Sequence, residues 1–263
     1  MRIATWNVNS IRTRIDRVVA FLERWDVDVL AMQELKCKPE QFPMAAFEEA
    51  GYEVALHGLN QWNGVAIASR VGLNDVAVGF PGMPEFGDPP VAEARAIGAL
   101  CGGVKVWSLY VPNGREIDHP HYAYKLEWLG TLKDVARGWL EDDGDRRIAL
   151  MGDWNVAPLD EDVWSMEFFE GKTHVTAPER AAFGAFEDAG YAEVTRPHTP
   201  GVYTYWDYQQ LRFPKGEGMR IDFVYASPEL STMVTDAHVD REERKGKGAS
   251  DHAPVIVDVD LSL

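Results

Sequence analysis

Apolar residues return along this chain with two different periods. Arg2-Ile-Ala-Thr-Trp-Asn-Val8 mixes β-branched and aromatic residues and reads as a strand. After Ser10, a candidate N-cap, residues Ile11, Ile15, Val18, Val19 and Leu22 recur at helical spacing with arginines opposite them. That pattern predicts an amphipathic helix. Val27-Asp-Val-Leu-Ala-Met32 is then a short apolar run, read as a buried strand ending at Gln33-Glu34. The chain so far is strand, helix, strand, with polar residues at both strand ends.

Further strands are predicted over residues 65–69, 94–100 and 104–110. Connectors rich in proline and glycine, Phe80-Pro-Gly-Met-Pro84 and Gly87-Asp-Pro-Pro90, separate them. A helix is predicted over roughly residues 122–140, a strand over 147–151 and another helix after Pro178. Strands return near Tyr203, over residues 221–225 and over 254–259. Strands outnumber helices and do not strictly alternate with them, which implies mixed sheets with helices outside them. No repeat, low-complexity segment or linker interrupts the pattern, so a single domain over residues 1–263 is expected.

Composition adds a soluble, globular character: 46% of residues are hydrophobic, enough for a sizeable core. The N-terminus turns polar within seven residues, unlike a signal peptide, and no apolar stretch approaches the ~20 residues of a membrane span. Cys37 and Cys101 stand alone, without CxxC spacing, which suggests a reducing, cytoplasmic setting and two inert thiols.

Charge complicates the picture. With 42 acidic against 26 basic residues the formal charge is -16, which by itself argues against a polyanionic partner. The acids, however, gather in stretches that read as solvated faces, Glu141-Asp-Asp-Gly-Asp145 and Asp160-Glu-Asp162. Basic residues collect elsewhere: Arg12, Arg14 and Arg17; Lys36 and Lys38; Lys215 and Arg220; Lys245 and Lys247. A bound cation would also offset carboxylates locally.

Five polar clusters fall at predicted strand ends: Trp6-Asn-Val-Asn9, Gln33-Glu34, Gly152-Asp-Trp-Asn155, Arg220-Ile-Asp222 and Ser250-Asp-His252. Functional side chains project from such ends. If the ends converge, one pocket holds Asn7, Glu34, Asp153, Asn155, Asp222, Asp251 and His252. Hard oxygen ligands with one imidazole suit magnesium or manganese rather than a multi-histidine zinc site. Each cluster has an ordinary reading as well. Glu34 could be a surface carboxylate, Asp222 the ion-pair partner of Arg220, and Asp153 with Asn155 a turn. Only their joint occurrence is decisive.

Trp-Asn-Val-Asn-Ser-Ile-Arg (6–12), Gln-Glu (33–34), Leu-Tyr-Val-Pro-Asn-Gly (109–114), Gly-Asp-Trp-Asn (152–155), Tyr-Thr-Tyr-Trp-Asp-Tyr (203–208), Met-Arg-Ile-Asp (219–222) and Ser-Asp-His-Ala-Pro (250–254) stand in family order. The chain thereby resembles the exonuclease III / abasic-site endonuclease family from residue 3 to about 259. The resemblance implies a four-layer α/β sandwich of two packed mixed β-sheets flanked by helices. It also implies a magnesium-dependent phosphodiesterase of DNA base-excision repair, with manganese able to substitute. The expected substrate is double-stranded DNA carrying abasic sites or 3′ ends. The enzyme is expected to be a monomer, cytoplasmic, nucleoid-associated and free of membrane contact.

Roles follow residue by residue from the resemblance. Glu34 is the expected main metal ligand, with Asn7 beside it; Asp251 completes the neighbourhood, and Asp153, Asn155 and His252 border it. Asp222 is expected to orient His252. Asp153 and His252 both remain candidates for handling the water proton. Tyr110 is expected near the leaving group, with Asn155 and Asn113 donating to the phosphate. Asn9, Arg12, Asn113, Arg115, Lys125, Tyr205, Trp206, Arg220 and Asp251 are candidate DNA contacts, although Trp206 could equally be core. Met219 leaves the dimensions of the sugar pocket open. The nearest alternative is the same hydrolysis on RNA, phospholipid or inositol phosphates; a scaffold that binds without catalysing would need its acid/base positions changed, and they are intact.

Overall fold

The computed structural model describes residues 1–142 and 147–262. Its strands are β1 (Arg2–Asn7), β2 (Val29–Gln33), β3 (Glu53–His57), β4 (Val65–Ser69), β5 (Asn74–Val78) and β6 (Ala96–Cys101). The second half adds β7 (Val104–Tyr110), β8 (Ile148–Asp153), β9 (Ala192–Glu193), β10 (Asp222–Ala226), β11 (Val234–Val239) and β12 (Val255–Val259). Helices are α1 (Ile11–Trp25), α2 (Met44–Glu49), α3 (Pro120–Asp142), α4 (Met166–Phe169), α5 (Ala177–Asp188), α6 (Arg212–Lys215) and α7 (Pro228–Met233).

These strands form two six-stranded sheets, ordered β11-β12-β1-β2-β4-β3 and β5-β6-β7-β8-β10-β9. Each sheet is mixed. Beside antiparallel neighbours, β1 runs parallel to β2 in the first and β7 parallel to β8 in the second. Between the sheets, Ile3, Val29 and Ile67 meet Ile97, Val106 and Met151 in a buried core. Phe21, Leu22 and Phe47 of α1 and α2 seal the outer face of the first sheet. Trp128 and Leu132 of α3, with Phe183 and Phe186 of α5, seal the second. The result is the expected four-layer α/β sandwich, because every sheet face finds an apolar helix or the other sheet.

Several expectations need correction. Ser10 does not cap α1: its φ is 83° and its side chain makes no capping bond. No strand forms at Tyr203; instead Tyr205 makes isolated bridges to Met219 and His252. Strands β3, β5, β9 and β11 went unread, for β3 and β5 lie at the sheet margins and carry no buried alternation. Asp162 does not lie on a solvated face, since it is buried and pairs with Arg196 through both oxygens, at 2.9 and 2.8 Å. Of the acidic run at residues 141–145, Glu141 and Asp142 end α3, and residues 143–145 lie outside the described residues. Cys37 and Cys101 are both free and buried. No described helix is long and apolar enough to cross a membrane.

Candidate active site

Strand register brings distant polar residues to one end of the sandwich. Parallel pairing sets Asn7 beside Gln33, so Asn7 and Glu34 leave neighbouring strand ends. In the other sheet Tyr110, Asp153 and Asp222 share a rung across β7, β8 and β10. Glycine makes that rung possible: a Cβ on Gly152 would stand 1.9 Å from the carbonyl oxygen of Leu109. Below the site, the buried Gln33 amide donates to Thr5 Oγ1 and to Ser108 Oγ, both at 3.0 Å. Thr5 and Ser108 belong to different sheets, so this amide fixes the two halves of the site against each other.

Asn7 Nδ2 donates to Glu34 Oε1 at 2.8 Å and to Asp153 Oδ2 at 3.0 Å. His252 Nδ1 lies 2.9 Å from Asp222 Oδ2, which also receives the Thr204 hydroxyl at 2.7 Å. With Nδ1 so engaged, Nε2 faces Asp153 Oδ2 at 3.7 Å, a gap that a water or phosphoryl oxygen can bridge. Ser250 Oγ donates to the Asn7 carbonyl at 2.7 Å and anchors the His252 segment to β1. Glu34 and Asn155 hold left-handed backbone, with φ of 53° and 51°. Such strain in non-glycine residues concentrates at functional sites.

One ligand atom from each of Glu34, Asp153 and His252 lies within 4.8 Å of the other two. Two carboxylates and an imidazole around a shared space fit a hard divalent cation. Asp251 is not part of this group; its Oδ1 instead accepts from Asn9 Nδ2 at 3.0 Å. Asn155 also stands aside, its Nδ2 donating to the Val111 carbonyl at 2.9 Å and its Oδ1 facing His174 Nε2 at 3.1 Å.

Burial raises Asp153 most, and the Asp222 and Glu34 charges add to it against His252, leaving its carboxyl at about 7. Burial pulls His252 down, yet Asp222 and Asp153 outweigh it and push the imidazole up to about 10. Glu34 is opposed by burial but held below the usual carboxylate range by Lys36, whose Nζ is 2.8 Å from Oε2, and by Asn7. The Tyr110 phenol is driven well above its ordinary value by burial first and then by Glu34, against Arg95 stacked 4.8 Å over its ring.

The outer contacts divide sharply. Arg12, Asn113 and Arg115 are exposed, and Asn9 is half-buried beside Asp251. Tyr205 is half-buried with its ring 4.9 Å from that of His252. Three expected DNA contacts are instead interior. Lys125 is fully enclosed and paired with Glu179. Arg220 is buried and donates to the Thr199 carbonyl and to Thr195 and Thr199 hydroxyls, not to Asp222. Trp206 packs inside against Tyr203 and Phe213. All three side chains are buried in this structure.

Two residues at the site escaped sequence reasoning. Lys36 bonds both Glu34 and, at 2.5 Å, Asn9 Oδ1; its place two residues after Glu34 was a usable signal. His174 touches Asn155 and Thr173, and lies in no motif that would single it out.

A family model for the endonuclease/exonuclease/phosphatase family matches residues 4–252. The chain belongs to this family. It is 35% identical to a variant of the Neisseria 3′ phosphatase NExo bound to product DNA hairpin, with a TM-score of 0.92 and 99% of both chains covered. An AP endonuclease from Archaeoglobus fulgidus is 34% identical, with a TM-score of 0.91 over 99% of this chain and 100% of that one. Exodeoxyribonuclease III of Haemophilus influenzae is 27% identical over 97% of this chain and 98% of its own. As an endonuclease/exonuclease/phosphatase protein, the chain thus has both exonuclease III and abasic-site endonuclease relatives across nearly its whole length.

Proposed function

We propose that this protein hydrolyses phosphodiester bonds in DNA with magnesium, cutting beside abasic sites and trimming or cleaning 3′ ends. The observation that carries the reading is the imidazole of His252, oriented by Asp222 and facing Asp153 and Glu34 across one small space. Supporting it are relatives named for these activities at both the sequence and the structural level.

Glu34, with Asp153 at its border and Asn7 between the carboxylates, would hold the cation; manganese would be able to replace magnesium. When bound, that cation supplies charge stabilisation to the phosphoryl oxygens and lowers the pKa of a coordinated water. The protein groups have separate tasks. Asp153 accepts a proton from the attacking water, and His252 Nε2 donates a hydrogen bond toward the phosphate. Asp222 holds the ring with its Nδ1 occupied. Asn113 presents its amide from the loop after β7, and Tyr110 places a protonated phenol near the leaving oxygen. Exposed cations at Arg12 and Arg115 suit the flanking backbone despite the negative total charge.

The deciding experiment is a side-by-side digestion of an abasic duplex and of recessed 3′ ends, with and without magnesium. Magnesium-stimulated cleavage of either substrate supports the reading. Absence of both activities, with hydrolysis of an RNA or phospholipid ester instead, overturns it.

A further inference from the structure

Lys125 of α3 and Glu179 of α5 form an ion pair with no exposed side-chain surface on either partner. Burying two charges is costly, and replacing such a pair by apolar groups is often neutral or stabilising, so stability alone is a weak account of it. What the pair touches is more telling. Lys125 Nζ donates to the Asn155 carbonyl at 2.6 Å, the Asn113 carbonyl at 3.2 Å and Glu179 Oε1 at 2.5 Å, which employs all three of its donors. Glu179 Oε1 also accepts from the His174 amide at 2.9 Å. Its Oε2 takes the Thr176 amide at 3.2 Å and hydroxyl at 2.8 Å.

Three loops are therefore gripped at one point: those after β7, after β8 and before α5. Each delivers a polar side chain to the same corner. The Asn113 amide is 3.3 Å from Asn155 Oδ1, and His174 Nε2 is 3.1 Å from that same oxygen. The loop after β7 fits so closely that a Cβ on Gly114 would approach Lys125 Cδ to 3.2 Å.

We propose that Lys125 and Glu179 are positioning residues of the nuclease site: the pair clamps the backbone carbonyls of Asn113 and Asn155, fixes the Asn155 side chain whose Oδ1 receives the Asn113 amide, and so aims that exposed Asn113 amide at the substrate phosphate. Neither residue touches substrate. The proposal rests on the functional reading above, in that the Asn113 amide must serve a phosphoester.

The test uses two variants of the full chain. Lys125→Met keeps the length of the stem but leaves a buried carboxylate unpaired. The double variant Lys125→Met with Glu179→Gln removes both charges, so that it retains the fold even where the single change does not. On magnesium-stimulated cleavage the double variant is expected to lose about 10- to 100-fold in kcat per folded molecule, with KM within about threefold, the pattern of lost alignment. Independently of any substrate, the side-chain amide resonances of Asn113 and Asn155 are expected to shift or broaden in its NMR spectrum. Unchanged kcat per folded molecule together with unchanged amide resonances overturns the proposal, even if Tm falls. If the unaltered protein cleaves neither DNA substrate, the functional reading fails, and the amide resonances alone then decide the clamp: changed supports it and unchanged overturns it.

Discussion

Asp222 Oδ2 meets His252 Nδ1 at 2.9 Å although thirty positions separate the two residues. The Thr204 hydroxyl binds the same oxygen, so the carboxylate cannot swing away. Asp222→Asn preserves shape but removes the charge that favours the imidazolium and replaces one acceptor oxygen by a donor that can hold the ring in the wrong tautomer. Turnover is expected to fall about a hundredfold or more, within the 10²–10⁴ that a positioned acid or base contributes. Steady-state kinetics on abasic duplex checks this; a loss below fivefold speaks against an orienting role.

The two groups flanking the reacting space are expected to be separable from folding. Asp153→Asn and His252→Ala should each reduce kcat at least about a hundredfold, while circular dichroism and Tm stay near those of the parent protein. Either variant retaining activity within tenfold rejects its assigned role.

Glu34 carries the metal prediction. A ligand that binds the native state raises its stability in proportion to occupancy. Added magnesium should therefore raise Tm in the parent protein and do so much less in Glu34→Gln, with chelation abolishing hydrolysis. An equal magnesium shift in both proteins would place the ion elsewhere.

Acid should loosen the loop that bears Asn113. His121 Nδ1 accepts the Gly114 amide at 3.0 Å, which requires an unprotonated nitrogen. Burial, followed by Arg95 and Arg115, depresses this imidazole from 6.5 to about 4. Above pH 6.5 both folded and unfolded chains hold it neutral. Between 6.5 and 4 the unfolded chain binds the proton more readily, so stability falls as pH falls through that window. Denaturant titrations at pH 7.5 and 5 should show this loss in the parent protein and a smaller one in His121→Asn; identical losses count against it.

Gly152 makes a mechanical prediction. Alanine there drives a methyl into the Leu109 carbonyl, and the β7–β8 pairing must part. Stability is expected to fall by roughly 2–4 kcal/mol in chemical denaturation. A change under about 0.5 kcal/mol would mean that the strands accommodate it.

Local sequence was informative where chemistry and strand ends coincide. Asn7, Glu34, Asp153, Asp222 and His252 sit in short polar interruptions of apolar runs, and those interruptions mark where strands leave the core. Helix α3 and strand β7 were legible as stretches rich in apolar residues bounded by polar, glycine-bearing segments. Lys125 and Arg220 were not, since a cation reads as exposed until its partner is known, and those partners, Glu179 and Thr199, come from other segments. Short β9 and marginal β5 leave too few buried positions to register as a period. His174 acquires meaning only through the fold that sets it against Asn155.

The antiparallel seam between β1 and β12 sets Thr5 opposite Val255, three residues beyond His252. The imidazole thus reaches its carboxylate partners only once the final strand has zipped onto the first. On the proposed function, a chain in which β12 does not pair with β1 lacks the imidazole beside Glu34 and Asp153, and with it hydrolysis.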